Sequence, residues 1–159
     1  MGNKKPTYVD FDHKNYKWKP DIDYRENPHL YEIGRGQQGV LICEPYKSEL
    51  YPLWKFKTPE IAQFSALQII NKFFQYLEEK DFVGADMAKK YLHMGFTRAR
   101  RYANHRDGKK YKDGEVLPQE PDHATCDFAK SAKIFKKVRD IVAKNKTYVT
   151  MRKEWRSSE

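Results

Sequence analysis

Arg98, Arg100, Arg101, Arg106, Lys109, Lys110 and Lys112 place seven cations between Gly95 and Lys112 against one acid, Asp107. Planar guanidinium forks match pairs of phosphate oxygens, and lysines add compact point charges. Asn104 and His105 supply shorter hydrogen-bond donors, while Tyr102 and Tyr111 supply rings on which unstacked bases can rest. A few cations at a helix end merely complement its dipole and solvate the surface. Seven with one acid exceed that need, so the segment is expected to bind a polyanion, nucleic acid foremost. Nothing in it separates DNA from RNA.

Other residues suggest weaker chemistry. Gly34-Arg35-Gly36-Gln37-Gln38-Gly39 has the letters of a phosphate-cradling loop. The dinucleotide form of that motif needs a strand before it and a helix after it, and here an apolar, strand-like run follows. The plainer reading is a turn whose glycines supply positive φ, with Arg35 at hand for a phosphate resting against it. Glu44 and Lys47, with Asp21 and Asp23 upstream, invite comparison with metal-dependent nucleases. Those need Glu-x-Lys on one strand face, whereas the spacing here turns the two to opposite faces if the strand continues. His93 and His105 complete the weak catalytic candidates. His123 and Cys126 with those two histidines make four zinc-ligand types, but only one pair has ligand spacing. No metal and no cofactor is expected.

The charge balance points the same way as the cluster. Residues 1–85 carry 12 Lys/Arg against 12 Asp/Glu, and residues 86–159 carry 19 against 10, the whole of the net +9. A localised positive field gathers and steers polyanions. At 159 residues and 39% apolar content one domain with a real core is expected, and 23 aromatics imply that much of that core is aromatic. No run reaches the length of a membrane span or reads as a secretory signal, and Gly2 lacks the Ser or Thr of a myristoylation site. Two cysteines, Cys43 and Cys126, make no disulfide framework, which fits a reducing cytoplasm.

The elements that must position these residues read as follows. Residues 1–29, with Tyr8, Phe11, Tyr16, Trp18 and Tyr24 at no regular period, form an extended N-terminal arm. Residues 30–159 form a single globular domain with a basic loop at 105–123. Leu30–Ile33 and Val40–Cys43 flank the glycine-rich turn, so a small antiparallel hairpin or sheet is expected over about 30–56. Thr58-Pro59-Glu60 is a helix start, and the spacing of Ala66, Ile70, Phe73 and Leu77 predicts a helix to about residue 79 with that face inward. Asp81 caps a second helix, about 82–104, whose polar line is Asp86, Lys90, His93, Thr97 and Arg101. Gly95 in its middle costs about 1 kcal/mol against Ala, so it marks close packing or a break. A third helix covers about 127–144, and a short C-terminal helix carries Tyr148, Met151 and Trp155 inward. The fold class is α+β, mainly helical: a small sheet packed on three helices.

Gly34–Leu41, Glu44–Glu49, Trp54–Glu60, Asp81–Lys90 and Gly95–His105 resemble a family of small bacterial and tailed-phage proteins, the domain of unknown function 4385. The resemblance covers about Asn27 to Gly114 and implies a bacterial or phage-infected cytoplasm as the setting, but no mechanism. Three functional classes follow from the residues. The first is nucleic-acid binding through the 98–112 cluster, with support from Arg35 and Lys47. The second is an enzyme acting on nucleic acid or nucleotides near Glu44, Lys47 and His93 or His105. The third is an interaction protein whose basic face meets an acidic protein. No membrane partner is expected.

Overall fold

A computed structural model of the chain describes residues 15–34 and 39–159. In chain order these form a 3-10 turn at Pro28–Leu30, α1 (Tyr46–Leu50), a second 3-10 turn at Tyr51–Leu53, α2 (Pro59–Glu78), α3 (Phe82–Asn104), β1 (Tyr111–Lys112), β2 (Glu115–Val116), α4 (Asp127–Ala143) and α5 (Lys146–Ser158). The class is mainly helical α+β. Helices α2, α3 and α4 pack on one another, and α5 lies against α3 and α4.

Caps fix the helices. The Thr58 side chain accepts from the Ile61 N–H, Asp81 from Gly84 and Asn145 from Tyr148, each at a helix start, so each satisfies one backbone donor that has no partner within its helix. The buried face of α2 is Ala62, Ser65, Ala66, Ile69, Phe73 and Tyr76. Ala66 and Phe73 face inward as expected, whereas Ile70 and Leu77 are only partly buried at its flank. In α3 every residue from Phe82 to Ala88 is buried, which makes it the central helix. It runs unbroken through Gly95, where an added Cβ would sit 2.5 Å from the Phe135 ring of α4. Gly95 therefore marks close packing.

The core is aromatic and rich in tyrosine: Trp18, Tyr24, Tyr31, Tyr46, Tyr76, Tyr91 and Tyr148 are all fully buried. A buried phenol needs a partner. Tyr31 and Tyr148 both donate to Asp86, Tyr46 to Asp81, Tyr76 to Glu49 and Tyr91 to the Val40 carbonyl. Arg25 forks onto Glu49 at 2.7 and 2.8 Å and holds that carboxyl below its ordinary value.

The sheet is not where the apolar runs placed it. Among the described residues, 30–56 contains α1 and the 3-10 turn at Tyr51–Leu53 but no strand pair. The antiparallel pair is β1–β2, with Tyr111 opposite Val116 and Lys112 opposite Glu115, inside the segment read as a plain loop. Asp113 (φ 51°) and Gly114 (φ 83°) form its turn, the positive-φ pair that a tight hairpin requires. The first apolar run stays single because its backbone is satisfied by side chains from elsewhere. The carbonyls of Tyr31, Glu32, Ile33 and Gly34 accept in turn from Trp155 Nε1 (2.9 Å), Trp18 Nε1 (2.7 Å), Lys17 Nζ (3.2 Å) and Lys90 Nζ (2.9 Å). The Ile33 N–H donates to Glu159 Oε1 at 2.7 Å. An extended segment so tethered has no need of a neighbouring strand.

Candidate anion-binding cleft

That tethered segment forms one wall of a cleft of about 620 Å³. From it come Ile33 and Gly34; the preceding arm adds Lys17; α3 adds Asp86, Lys89, Lys90 and His93; α4 adds Arg139; and α5 adds Arg152 and Arg156. Helical spacing puts Asp86, Lys89, Lys90 and His93 on one side of α3, and Arg152 and Arg156 one turn apart on α5.

Among the described residues, six lysines and arginines thus line the cleft with a single carboxylate, Asp86. Asp86 is 2% exposed and accepts from two buried tyrosines. Lys17, Arg139 and Arg156 also meet outer acids, Glu32 at 3.9 Å, Asp140 at 2.9 Å and Glu159 at 3.2 Å. Burial holds Lys89 below the ordinary lysine value; Asp86 opposes that shift, and Arg152 and Arg139 add to it. Burial likewise lowers Lys90, against Asp86 and helped by Lys89, Arg152 and Arg156. Cations that repel one another in a partly dry space are relieved by an incoming anion.

His93 belongs to this cleft. Its Nδ1 lies 2.8 Å from an Arg139 guanidinium nitrogen, and arginine can only donate, so Nδ1 accepts and the neutral ring carries its proton on Nε2. Burial, then Arg139, Lys90 and Lys89, lower its affinity for a second proton. His93 thus presents a neutral hydrogen-bond donor among cations.

The other catalytic candidates lie elsewhere. Glu44 accepts from Ser48 Oγ, and Lys47 sits over the Tyr51 ring at 5.5 Å. Neither lines the cleft. Tyr91 of α3 reaches the Val40 carbonyl near them, and it stands two residues, roughly 200° of helix, from His93. His105, 5% exposed, follows the last turn of α3. Among the described residues, no three His, Cys, Asp or Glu side chains gather as a metal site.

The 98–112 cluster divides. Arg98, Arg100 and Arg101 are half-buried on the last turns of α3, and Arg100 donates to Asn104 Oδ1 at 2.6 Å. Tyr102 turns inward, with its ring 5.6 Å from Phe56 and 5.3 Å from Phe128. Arg106 pairs with Asp122 at 3.0 Å. Lys109, Lys110 and Lys112 are exposed, with Lys110 over the half-buried Tyr111 ring. Arg35, expected to support phosphate binding, lies outside the described residues. Gly34 and Gly39 have a packing reason: an added Cβ would come within 2.7 Å of the Trp18 ring at Gly34 and 2.5 Å at Gly39.

Sequence reasoning placed Lys90 and His93 on the polar line of α3 but did not assemble the cleft. Lys17, Lys89, Arg139, Arg152 and Arg156 come from four separated stretches. The one local signal is a Lys89-Lys90 pair within a helix that is otherwise buried at that level.

A family model, described as a domain of unknown function (DUF4385), matches residues 14–158. No curated protein and no solved structure matches the chain.

Proposed function

The chain belongs to the DUF4385 family, whose description assigns no activity, and we propose from its own residues that it binds nucleic acid, anchoring backbone phosphates in the α3–α4–α5 cleft. The observation that carries this reading is the convergence, among the described residues, of six cations, three of them also paired with outer acids, on a cleft whose one lining carboxylate is taken up by two tyrosines. A fold does not gather like charges in a partly buried space for stability. The face continues beyond the cleft. From Lys90 the polar line of α3 passes His93, Thr97 and Arg101 to Asn104, and the exposed lysines of the β1–β2 hairpin follow. At 1.5 Å per residue, Lys90 to Asn104 spans roughly 21 Å, or about six nucleotide steps at 3.4 Å. A track of that length suits a phosphate polymer.

A second reading has its own observation. Phe64, Leu67 and Phe74 of α2 are 65%, 51% and 43% exposed, a surface that an interaction protein would use. Binding of a fluorescent 12-nucleotide single strand, followed by anisotropy near 50 mM salt, separates the two. The nucleic-acid reading expects saturable binding that weakens steeply with salt, with a log–log slope of about −3 to −4 for about five phosphates. No binding at that salt overturns it in favour of the apolar face.

A further inference from the structure

The cleft is closed on one side. The segment Tyr31–Gly34 is tied to α3 through Lys90 and to α5 through Trp155 and Glu159. Beneath it, α3 from Phe82 to Ala88 is buried on every side. In the other direction, from Phe96 to Asn104, α3 keeps a half-exposed face. Among the described residues the track along α3 is therefore open toward Asn104 and covered toward Phe82, and the cations of the cleft lie at the covered end.

An internal phosphodiester must leave the site as a chain on both sides, whereas a chain end need not. A phosphodiester also carries one negative charge, while a phosphomonoester near neutral pH carries between one and two, its second ionisation lying near pH 6. Lys89, Lys90 and Arg152, half-buried around a partly dry space, reward the second charge more than fully solvated cations would. The neutral His93, with its proton on Nε2, adds a donor without adding charge. From this geometry, and resting on the nucleic-acid reading above, we infer that the cleft recognises the terminal phosphate of a nucleic-acid strand, whose body runs along α3 toward the hairpin.

The test uses the full chain and four ligands: a 12-nucleotide strand with a 5′-phosphate, the same strand with a 3′-phosphate, the same strand with hydroxyl ends, and a nucleoside monophosphate. The inference expects one of the phosphorylated strands to bind at least tenfold tighter than the hydroxyl-ended strand, and which one it is assigns the polarity. Lys89→Gln is expected to bring that ratio to within twofold. Arg156→Gln, at an exposed position, lowers it in the same direction should Lys89→Gln fail to fold. Lys110→Gln, in the hairpin, is expected to weaken all strands alike and leave the ratio intact. Equal binding of phosphorylated and hydroxyl-ended strands overturns the inference while leaving the nucleic-acid reading in place. A nucleoside monophosphate binding as tightly as the best strand overturns it in favour of a small phosphorylated ligand. Binding of none of the four overturns the nucleic-acid reading itself.

Discussion

Asp86→Asn probes the charge balance of the cleft most sharply, because it changes one charge and almost no volume. Asp86 accepts from the Tyr31 and Tyr148 hydroxyls and is the lining carboxylate nearest in sequence to Lys89 and Lys90. A hydrogen bond to a charged acceptor contributes about 1.5–3 kcal/mol. Asparagine still accepts from one tyrosine through Oδ1, and its amide can donate to the other, so part of that contribution returns. Lys89 and Lys90 feel the Asp86 charge electrostatically and keep other contacts and some solvent, so this part of the loss stays below the ~3–5 kcal/mol of breaking a direct buried ion pair. A net loss of about 3 kcal/mol follows, which for a chain of this length lowers Tm by roughly 6–12 °C. The same substitution removes the negative charge that competes with a bound anion, so affinity for phosphate ligands rises. Ligand at a hundredfold excess over Kd stabilises by about 2.7 kcal/mol, so tighter binding narrows the Tm gap between variant and parent at a fixed ligand concentration. Thermal unfolding by circular dichroism, with and without the phosphorylated strand, reads both effects. A variant within 2 °C of the parent would refute the countercharge role, and a gap that ligand leaves unchanged would refute the shared site.

Phe73→Ala removes a fully buried ring and is expected to destabilise by about 3–5 kcal/mol in urea unfolding. Gly95→Ala should also destabilise, by about 1–3 kcal/mol despite the better helix former, because its methyl meets Phe135; an unchanged midpoint would show that the α3–α4 contact can yield. His93 should titrate below the ordinary 6.5 of histidine in the free protein, read by NMR, and move upward when phosphate ligand is bound. With the folded value depressed, the unfolded chain takes up the proton first, so this group's contribution to stability declines as pH falls below about 6.5 and is constant above it. Arg25→Ala should weaken acid tolerance less than neutral stability, because Glu49, lowered chiefly by its hydrogen bond to Arg25, contributes above its unfolded value and loses that contribution as pH falls; guanidinium melts at pH 7 and pH 4 compare the two.

Local chemistry made the helices legible. Thr58-Pro59, Asp81 and Asn145 are caps whose side chains do what their types suggest, and the starts of α2, α3 and α5 stand where those signals put them. The sheet was not legible at 30–56, because the segment Tyr31–Gly34 is held by side chains up to 126 positions away in the sequence, and no local pattern carries that. The hairpin at 111–116 did carry a signal, Asp113-Gly114, but its flanks are polar and two residues long. The basic segment was visible as charge. The inward turn of Tyr102 was legible too, because it ends the apolar line Ala88, Tyr91, Leu92, Gly95 and Ala99 of α3; that Phe56 and Phe128 meet it there was not. The cleft was visible only through Asp86, Lys90 and His93, and its remaining cations converge through the packing of α3, α4, α5 and the N-terminal arm.

The central claim is that the cleft, rather than the hairpin lysines alone, anchors the phosphate chain. The direct measurement is the salt dependence of single-strand binding for the parent, for Lys89→Gln/Arg152→Gln, and for Lys109→Gln/Lys110→Gln. Each phosphate contact contributes about −0.7 to the log–log slope, so the cleft pair should flatten it by about 1.4 and weaken binding at 50 mM salt by more than the hairpin pair does. An unchanged slope and affinity in the cleft variant, with binding abolished in the hairpin variant, would contradict the account.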